Sequence, residues 1–312
     1  MDIVIGIDIG ATNTKYGFVS ANGEMLLEKS VTTSKNKNVE VYIHDLYNII
    51  TPDLKKHNLI LKGIGIGAPD ANYYTGSVEY ASNLMWQGIV PLVSLFEKKF
   101  SVPAVLTNDA NAAAIGELLY GHGQNMKHFI MITLGTGLGS GIIVDGKIVY
   151  GHDGFAGELG HTTVIPEGRK CNCGKRGCLE TYVSAPGIVK TIFELLASET
   201  EDSELRNISF RDLDARMISD AALKNDPIAL KAFEFTGKLL GMKLADAVMH
   251  TSPEAIFLFG GLTSAGNLIF DPVKKYMEEF LLPFFRNKIK IMPSALQDKN
   301  IAVLGAAALI WN

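Results

Sequence analysis

The stretch IDIGATNTKYG, residues 7–17, decides the fold, because an apolar strand enters a turn of small residues and a second strand leaves it. The dipeptide Asn22-Gly23, a strong signal for a two-residue hairpin, then leads into a third strand at 24–31. The same order recurs from residue 129, with ITLGTGLGSG at 132–141 around the first turn and Asp145-Gly146 as the second. A repeated pattern of three strands and two turns predicts two similar α/β halves.

The composition is that of an ordinary globular chain. Hydrophobic residues make up 47 % and charged residues 20 % of the 312 residues, which excludes intrinsic disorder, and the length predicts two domains. The net charge of −4 argues against a nucleic-acid binder that acts by bulk charge. The apolar run at 129–144 is too short and too rich in glycine to span a membrane, and the first residues lack the basic region of a secretory signal. We therefore expect a cytoplasmic protein that binds neither nucleic acid nor membranes.

Each glycine turn carries groups suited to phosphate. At the first turn, Gly10 lets backbone N–H groups approach an anion, Thr12 adds a hydroxyl donor and Lys15 adds a cation. Asp8, at the end of the preceding strand, could hold a hydrated magnesium ion. Either stretch taken alone could be a plain β-turn, with Lys15 as a surface residue. Two such turns in duplicated halves favour phosphate binding.

The segment TNDAN, residues 107–111, follows a predicted strand and opens an alanine-rich helix. One interpretation of its polar residues is helix capping by Asn108 or Asp109. The other is that Asp109 is a general base for a substrate hydroxyl, kept ionised by the helix N-terminus. Phosphoryl transfer depends mostly on positioning and charge, so one carboxylate would suffice as the base.

The cysteines of the chain are Cys171, Cys173 and Cys178. An odd number so close together does not form a disulfide framework, whereas three thiolates and the imidazole of His161 are a ligand set for structural zinc. Free buried thiols are the alternative interpretation, and His152 is another candidate for the fourth ligand.

Two carboxylates flank this loop, since Glu158 lies shortly before His161 and Glu180 shortly after Cys178. Surface charge would explain either carboxylate alone. Beside an ordered loop, both suit the hydroxyl groups of a polyol, which donate strong hydrogen bonds to ionised oxygens.

The two hairpins together resemble the phosphate loops of the superfamily of sugar kinases, Hsp70 and actin, and Gly260-Gly261 resembles its adenosine loop. Within that superfamily, ELGH at 158–161 and CNCGKRGCLE at 171–180 resemble the signature of the ROK family, which comprises repressors, open reading frames and sugar kinases. The segment at 82–86 matches the N-L-x-W pattern of the family, and the resemblance covers essentially the whole chain. Pro69-Asp70-Ala71-Asn72 departs from the P-G-x-V-D run that family members often carry.

The resemblance implies a role for each of these residues. Asp109 would be the catalytic base. The sugar would be bound by Gly67, Ala68, Asn83, Asn108, Asp109, Glu158, His161 and Glu180. ATP and magnesium would be bound by Asp8, Gly10, Thr12, Lys15, Gly135, Thr136, Gly137, Gly260 and Gly261. Structural zinc would be bound by His161, Cys171, Cys173 and Cys178.

The resemblance also implies a fold and an activity. The fold would be ribonuclease-H-like, with a small α/β lobe at 1–117 plus 300–312, a large α/β lobe at 118–299 that carries the zinc loop, and a cleft between the lobes. The activity would be transfer of the γ-phosphoryl group of ATP to the 6-hydroxyl of a hexose, with glucose expected first, by a homodimer. An N-acetylmannosamine kinase or another hexose kinase is the enzymatic alternative.

Two non-kinase alternatives are disfavoured by the sequence. A sugar-responsive repressor would need a helix-turn-helix ahead of the first strand, which begins at Ile3. A chaperone-like or actin-like ATPase would lack the cysteine loop. Because the glycine turns lie far from that loop in sequence, we expect zinc removal to weaken sugar binding much more than nucleotide binding.

Overall fold

The computed structural model describes residues 1–33, 38–81, 84–297 and 299–311, so the predicted sugar residue Asn83 lies outside the described residues. The chain forms two compact units. The first unit comprises Met1–Met126, Gly141–Gly157 and Ala295–Asn312, and the second comprises Lys127–Ser140 and Glu158–Ser294. The lobe boundaries expected from the sequence stay a prediction.

The secondary structure alternates between strands and helices. The strands are β1 Asp2–Ile9, β2 Asn13–Val19, β3 Met25–Thr32, β4 Ile60–Ala68, β5 Ala71–Asn72, β6 Ser77–Glu79, β7 Ile89–Val90, β8 Ala104–Asn108, β9 Phe129–Leu134, β10 Leu138–Val144, β11 Lys147–Ile148, β12 Ala255–Phe259 and β13 Lys290–Pro293. The α-helices are α1 Val39–Lys56, α2 Leu92–Phe100, α3 Asp109–Tyr120, α4 Glu180–Val183, α5 Ala185–Ser198, α6 Ala215–Leu223, α7 Pro227–Thr251, α8 Asn267–Phe280 and α9 Ile301–Trp311.

Two sheets of the described chain have five strands each, and their topologies match. The first has the order β3-β2-β1-β4-β8 and the second has the order β11-β10-β9-β12-β13. In the first sheet β1 and β2 are antiparallel, and in the second β10 and β11 are antiparallel. On the other side of each central strand the pairs are parallel, namely β1–β4 and β4–β8 in the first sheet and β9–β12 and β12–β13 in the second. The α/β fold with an internal duplication is therefore confirmed.

Strand β1 is buried on both faces, which explains its unbroken apolar sequence. Its alternate residues Ile3, Ile5, Ile7 and Ile9 belong to a core with side chains of α1 and α2. On the other face, Gly6 allows the backbone of α9 to approach closely. Because successive side chains of a strand point to opposite faces, α1 and α2 pack on one face of β1 and α9 packs on the other.

The second unit buries its sheet against helices. Ile130 and Ile132 of β9, with Ile256 and Leu258 of β12, share one apolar core with residues of α5, α6, α7 and α8. No helix within the described ranges has both the length and the apolar character needed to cross a membrane. The cytoplasmic location stays a prediction.

Three local features of the structure go beyond the sequence patterns. The apolar spacing at 271–285 predicts a helix, and the structure has α8 there, which starts earlier and ends at Phe280, because Pro283 disfavours helical backbone at Leu282. Helix α1 continues through Pro52 to Lys56. The small sheet of β5, β6 and β7 carries too short a pattern to be read from the sequence.

The packing of α9 on β4 generates the first prediction. A Cβ added at Gly65 would overlap the backbone carbonyl of Ala306, which cannot rotate away as a side chain could. We expect Gly65→Ala to lower the free energy of unfolding by roughly 2–3 kcal/mol, as overpacking does. Urea denaturation checks it against Gly261→Ala, where the added methyl meets no described atom within 4 Å. Equal stability of the two variants would contradict this packing.

Candidate active site

The carboxyl ends of three parallel strands in the first unit bring predicted site residues to one edge. In the register of β1, β4 and β8, Asp8 pairs with Gly67, and Ala68 pairs with Asn108. Asp109 follows Asn108 directly as the first residue of α3. A Cβ at Gly67 would lie 3.4 Å from the Cβ atom of Ala112 and 3.6 Å from the Cα atom of Asp109, so Gly67 lies directly beside the first turn of α3. Ligands of open parallel sheets bind outside such an edge.

Asp109 lies at the junction of β8 and α3, where the sequence allows either helix capping or a general base. Asn108 is the N-cap, and its Oδ1 accepts a hydrogen bond of 2.9 Å from the Ala110 N–H. Oδ1 of Asp109 accepts from the same N–H at 2.8 Å. Because Asn108 already caps the helix, the Asp109 carboxylate is not needed for that purpose.

Burial dominates the electrostatics of Asp109. It raises the pKa of the Asp109 carboxyl, the Ala110 N–H lowers it, and the negative charge of Asp70 raises it further. The expectation that the helix N-terminus keeps this group ionised therefore names only one of the opposing effects. A carboxylate with a raised pKa is a stronger proton acceptor when ionised.

Asp8 adds a second carboxylate to the same edge. Burial and the nearby Asp109 raise the pKa of Asp8 to about 6, although Lys15 lowers it. Lys15 is the register partner of Asp8 across the β1–β2 hairpin. Buried negative charge with one compensating lysine suits a divalent cation, and oxygen ligands are those that magnesium prefers.

Thr33, a residue that the sequence analysis missed, holds the first glycine turn through two hydrogen bonds. The Gly10 N–H donates to the Asn13 carbonyl at 3.0 Å, which closes the turn. The Thr33 hydroxyl donates to the Gly10 carbonyl at 2.6 Å, and the Thr33 N–H donates to the Thr12 carbonyl at 2.8 Å. Thr12 and Lys15 have exposed side chains, so their polar groups are available to a ligand.

Asp70 is a further site residue that the sequence analysis did not assign. It follows β4 and has a left-handed backbone with φ +53, a conformation that favours glycine but that Asp tolerates. The departure from the family pattern at this position was the available signal. Its charge is one of those that raise the pKa of Asp109.

In the second unit the second glycine turn meets the predicted adenosine loop. The Gly135 N–H donates to the Gly137 carbonyl at 3.0 Å, and Thr136 is exposed at the tip. Gly260 has φ +110, and a Cβ there would overlap the backbone of Leu134, where the turn begins. The two segments can approach only because that residue is glycine.

A polar recess adjoins the second turn. Among the residues that line it are Thr136, Lys170, Ser184 and Lys190. Ser184 is the N-cap of α5. The first backbone N–H groups of a helix have no acceptor within the helix and point out of its N-terminal end. Two lysines beside a helix N-terminus extend the anion-binding character of the turn.

The four predicted zinc ligands lie together. The ligand atoms of His161, Cys171, Cys173 and Cys178 are all within 4.8 Å of one another, so His161 and not His152 completes the group. Sγ of Cys173 lies 3.7 Å from Sγ of Cys178, and Sγ of Cys171 lies 3.7 Å from Nδ1 of His161. Ligands at roughly 2.3 Å from a tetrahedral zinc ion lie roughly 3.8 Å apart, so the residues fit zinc.

The remaining two carboxylates lie beside this cluster. Oε2 of Glu158 lies 3.9 Å from Nε2 of His161, on the side of the ring that faces away from the thiols. Glu180 begins α4, and its Oε1 lies 3.8 Å from Sγ of Cys171. Its Oε2 accepts a 3.0 Å hydrogen bond from the Leu138 N–H, at the end of the second glycine turn. The metal cluster and that turn are therefore neighbours despite their distance in sequence.

Comparison with known proteins places the chain in a family. The sequence model of the ROK family matches residues 4–312. The chain is 35 % identical to a glucokinase of Halalkalibacterium halodurans over 285 residues, which are 89 % of this chain and 86 % of that one. It is 32 % identical to a xylose repressor of Caldicellulosiruptor bescii, over 98 % of this chain and 77 % of the repressor. Its structure is similar to that of a ROK family glucokinase from Streptomyces griseus in complex with glucose and AMPPNP, with a TM-score of 0.84, 32 % identity and 98 % of each chain covered. This chain therefore belongs to the ROK family.

Proposed function

We propose that this protein transfers the γ-phosphoryl group of ATP to the 6-hydroxyl of a hexose, with glucose as the first candidate. The observation that carries the proposal is the Asp109 carboxylate, which lies at the carboxyl edge of the first sheet beside Asp8 and shares the capping N–H of Ala110 with Asn108. The glucokinase relatives support a hexose kinase, and the Streptomyces griseus structure holds a hexose and an ATP analogue.

Asp109 would accept the proton of the sugar hydroxyl as its oxygen attacks the γ-phosphorus atom. The bond between that phosphorus and the bridging oxygen breaks, and ADP leaves with the electron pair. Burial and the charge of Asp70 make the carboxylate a better acceptor than an exposed aspartate, provided that it is ionised at the working pH.

The two glycine turns would bind the phosphates from their backbone N–H groups, aided by the hydroxyls of Thr12 and Thr136 and the charge of Lys15. Asp8 would hold magnesium through water, and the ion would neutralise negative charge on the phosphates. Gly260 and Gly261 would leave room for the adenosine.

The second unit would supply the remaining sugar contacts. Glu158, His161 and Glu180 lie around the cysteine cluster, and hydroxyl groups of a sugar donate strongly to carboxylates. Zinc held by three thiolates and Nδ1 of His161 would be structural, because all four tetrahedral positions are filled. A bound zinc ion would fix the conformation of the cysteine loop and the orientation of the His161 imidazole.

A coupled kinase assay tests the proposal. The acceptors are glucose, mannose, fructose, N-acetylmannosamine and xylose, and the donors are ATP and polyphosphate. Phosphorylation of glucose that requires ATP and magnesium is the expected result. Preference for another acceptor or donor would correct the substrate assignment. Two results would overturn the proposal. One is ATP hydrolysis that needs no sugar and yields no sugar phosphate, and the other is sugar-dependent DNA binding with no phosphorylation of the sugar.

The role of Asp109 as base gives the second prediction. Asp109→Asn retains the size of the side chain and an oxygen that can accept the Ala110 N–H, but it cannot accept the substrate proton. We expect kcat to fall by roughly 100- to 10,000-fold, with a much smaller change in glucose affinity. Steady-state kinetics and calorimetric glucose titration measure the two effects. Turnover close to that of the wild type would show that another group is the base.

The effect of Asp70 on Asp109 gives the third prediction. The base must be ionised, so the acid limb of kcat/KM for the sugar should lie above the ordinary aspartate value of 3.8. Asp70→Asn removes the negative charge of Asp70, which raises the pKa of Asp109, so the limb should move to lower pH, while Asp8 and Lys15 remain in place. Asn also tolerates a left-handed backbone.

Asp145→Asn is the matched control for this measurement. It removes the same charge from a hairpin turn of the same unit, at a similar φ of +50, and its side chain is exposed. We expect the control profile to coincide with that of the wild type. An acid limb that does not move in Asp70→Asn would contradict the electrostatic coupling.

A further inference from the structure

We propose that Glu180 is a positioning residue that ties the second glycine turn to the metal loop, so that loss of the metal weakens nucleotide binding as well as sugar binding. This inference rests on the proposed function, because it takes the turn to be a phosphate site. It replaces the expectation that zinc removal would leave nucleotide binding nearly unchanged.

The carboxylate of Glu180 contacts both structures at once. Oε2 accepts the Leu138 N–H at 3.0 Å, and Oε1 lies 3.8 Å from Sγ of Cys171, one of the four clustered metal-ligating residues. The carboxylate also covers Gly137, since a Cβ on that glycine would lie 2.5 Å from Oε2. A larger residue at Gly137 would therefore have to displace the Glu180 carboxylate from its present position.

A second contact fastens the other end of the same turn. The Ala185 N–H donates to the Gly135 carbonyl at 2.9 Å. Between these contacts the chain is helical, and the Thr181 N–H donates to the Cys178 carbonyl at 3.0 Å. The turn is therefore held at both ends by residues 180–185, which continue directly from a metal-ligating cysteine.

This arrangement predicts how the metal would act at a distance. A metal ion would fix Cys178 and, through the hydrogen bond from the Thr181 N–H to the Cys178 carbonyl, the start of α4 from which the Glu180 side chain extends. Phosphate binding by backbone N–H groups depends on their being oriented before the ligand arrives. A loop without its metal would leave Glu180 less restrained, and the turn would lose part of its preorganisation.

Variants of Glu180 separate this role from sugar contact when nucleotide binding is measured without sugar. We expect Glu180→Ala to weaken the affinity for AMPPNP with magnesium by about tenfold, the lower end of the effect of outer-shell substitutions at metal sites. Glu180→Gln should recover most of it, because the amide oxygen still accepts the Leu138 N–H. Glu158→Ala is the control, since Glu158 lies on the far side of the imidazole and should affect glucose binding alone. Isothermal titration calorimetry measures each affinity.

Metal removal gives an independent measurement on the wild-type chain. After treatment with a chelator, we expect weaker AMPPNP binding and faster hydrogen exchange in the peptide that contains Leu138, both restored by added zinc. Glu180→Ala should show the same faster exchange with the metal still bound, by elemental analysis.

The outcomes distinguish failure of the proposed nucleotide site from failure of the link through Glu180. If the metal-loaded wild type does not bind AMPPNP, the proposed nucleotide role of the turn is wrong. If the wild type binds AMPPNP and the Glu180→Ala variant binds AMPPNP equally well, the inference is overturned. A loss of glucose affinity in that variant would then show that Glu180 acts on the sugar alone. Failure of Glu180→Gln to recover affinity would show that the hydrogen bond to Leu138 is not the link.

Discussion

The desolvation of two carboxylates at one sheet edge is the constraint on which the candidate site depends. Asp8 and Asp109 are placed there by the register of β1, β4 and β8. Burial raises the pKa of both carboxyls, and the charge of Asp109 raises that of Asp8 further. Lys15 offsets only part of this negative charge. An edge with this balance stabilises added positive charge and holds one strong proton acceptor, which are the two requirements of phosphoryl transfer to a hydroxyl. Burial therefore contributes to the chemistry, although it opposes the stability of the ionised site.

The duplicated halves support their glycine turns in different ways. The first turn is fastened from within its own three-stranded meander, by the Thr33 hydroxyl on the Gly10 carbonyl. Among the hydrogen bonds described, the second turn is fastened not from its short third strand, β11, but by Glu180 and Ala185. The segment that follows the cysteine loop thus supports the second turn, as the residue after β3 supports the first. A duplicated fold can preserve the geometry of a turn while the residues that hold it diverge.

Local patterns predicted much of this molecule, and contacts between distant residues limited the rest. The alternating isoleucines of β1 and the Asn22-Gly23 turn encode the meander directly, because hairpin pairing is local. The cysteine spacing likewise brought the thiols to one place. The hydrogen bond from Leu138 to Glu180 joins residues 42 positions apart, and no periodicity encodes it. The helix position of Asp109 indicated only the effect that lowers its pKa, whereas the burial that raises it depends on what packs around the carboxyl.

The closed ligand set explains why the influence of a metal must be indirect. Three thiols and one imidazole satisfy a tetrahedral ion, so neither a sugar oxygen nor a phosphate oxygen could join it without displacing a protein ligand. Any effect on binding then passes through residues beside the ligands. Two such carboxylates are described, with Glu158 beside the far side of His161 and Glu180 beside Cys171. Only Glu180 also reaches the glycine turn among the contacts described, and that turn cannot accept a larger residue at Gly137 without moving it. One side chain therefore contacts both the cysteine loop and the second glycine turn, and the glycine at position 137 leaves room for that contact.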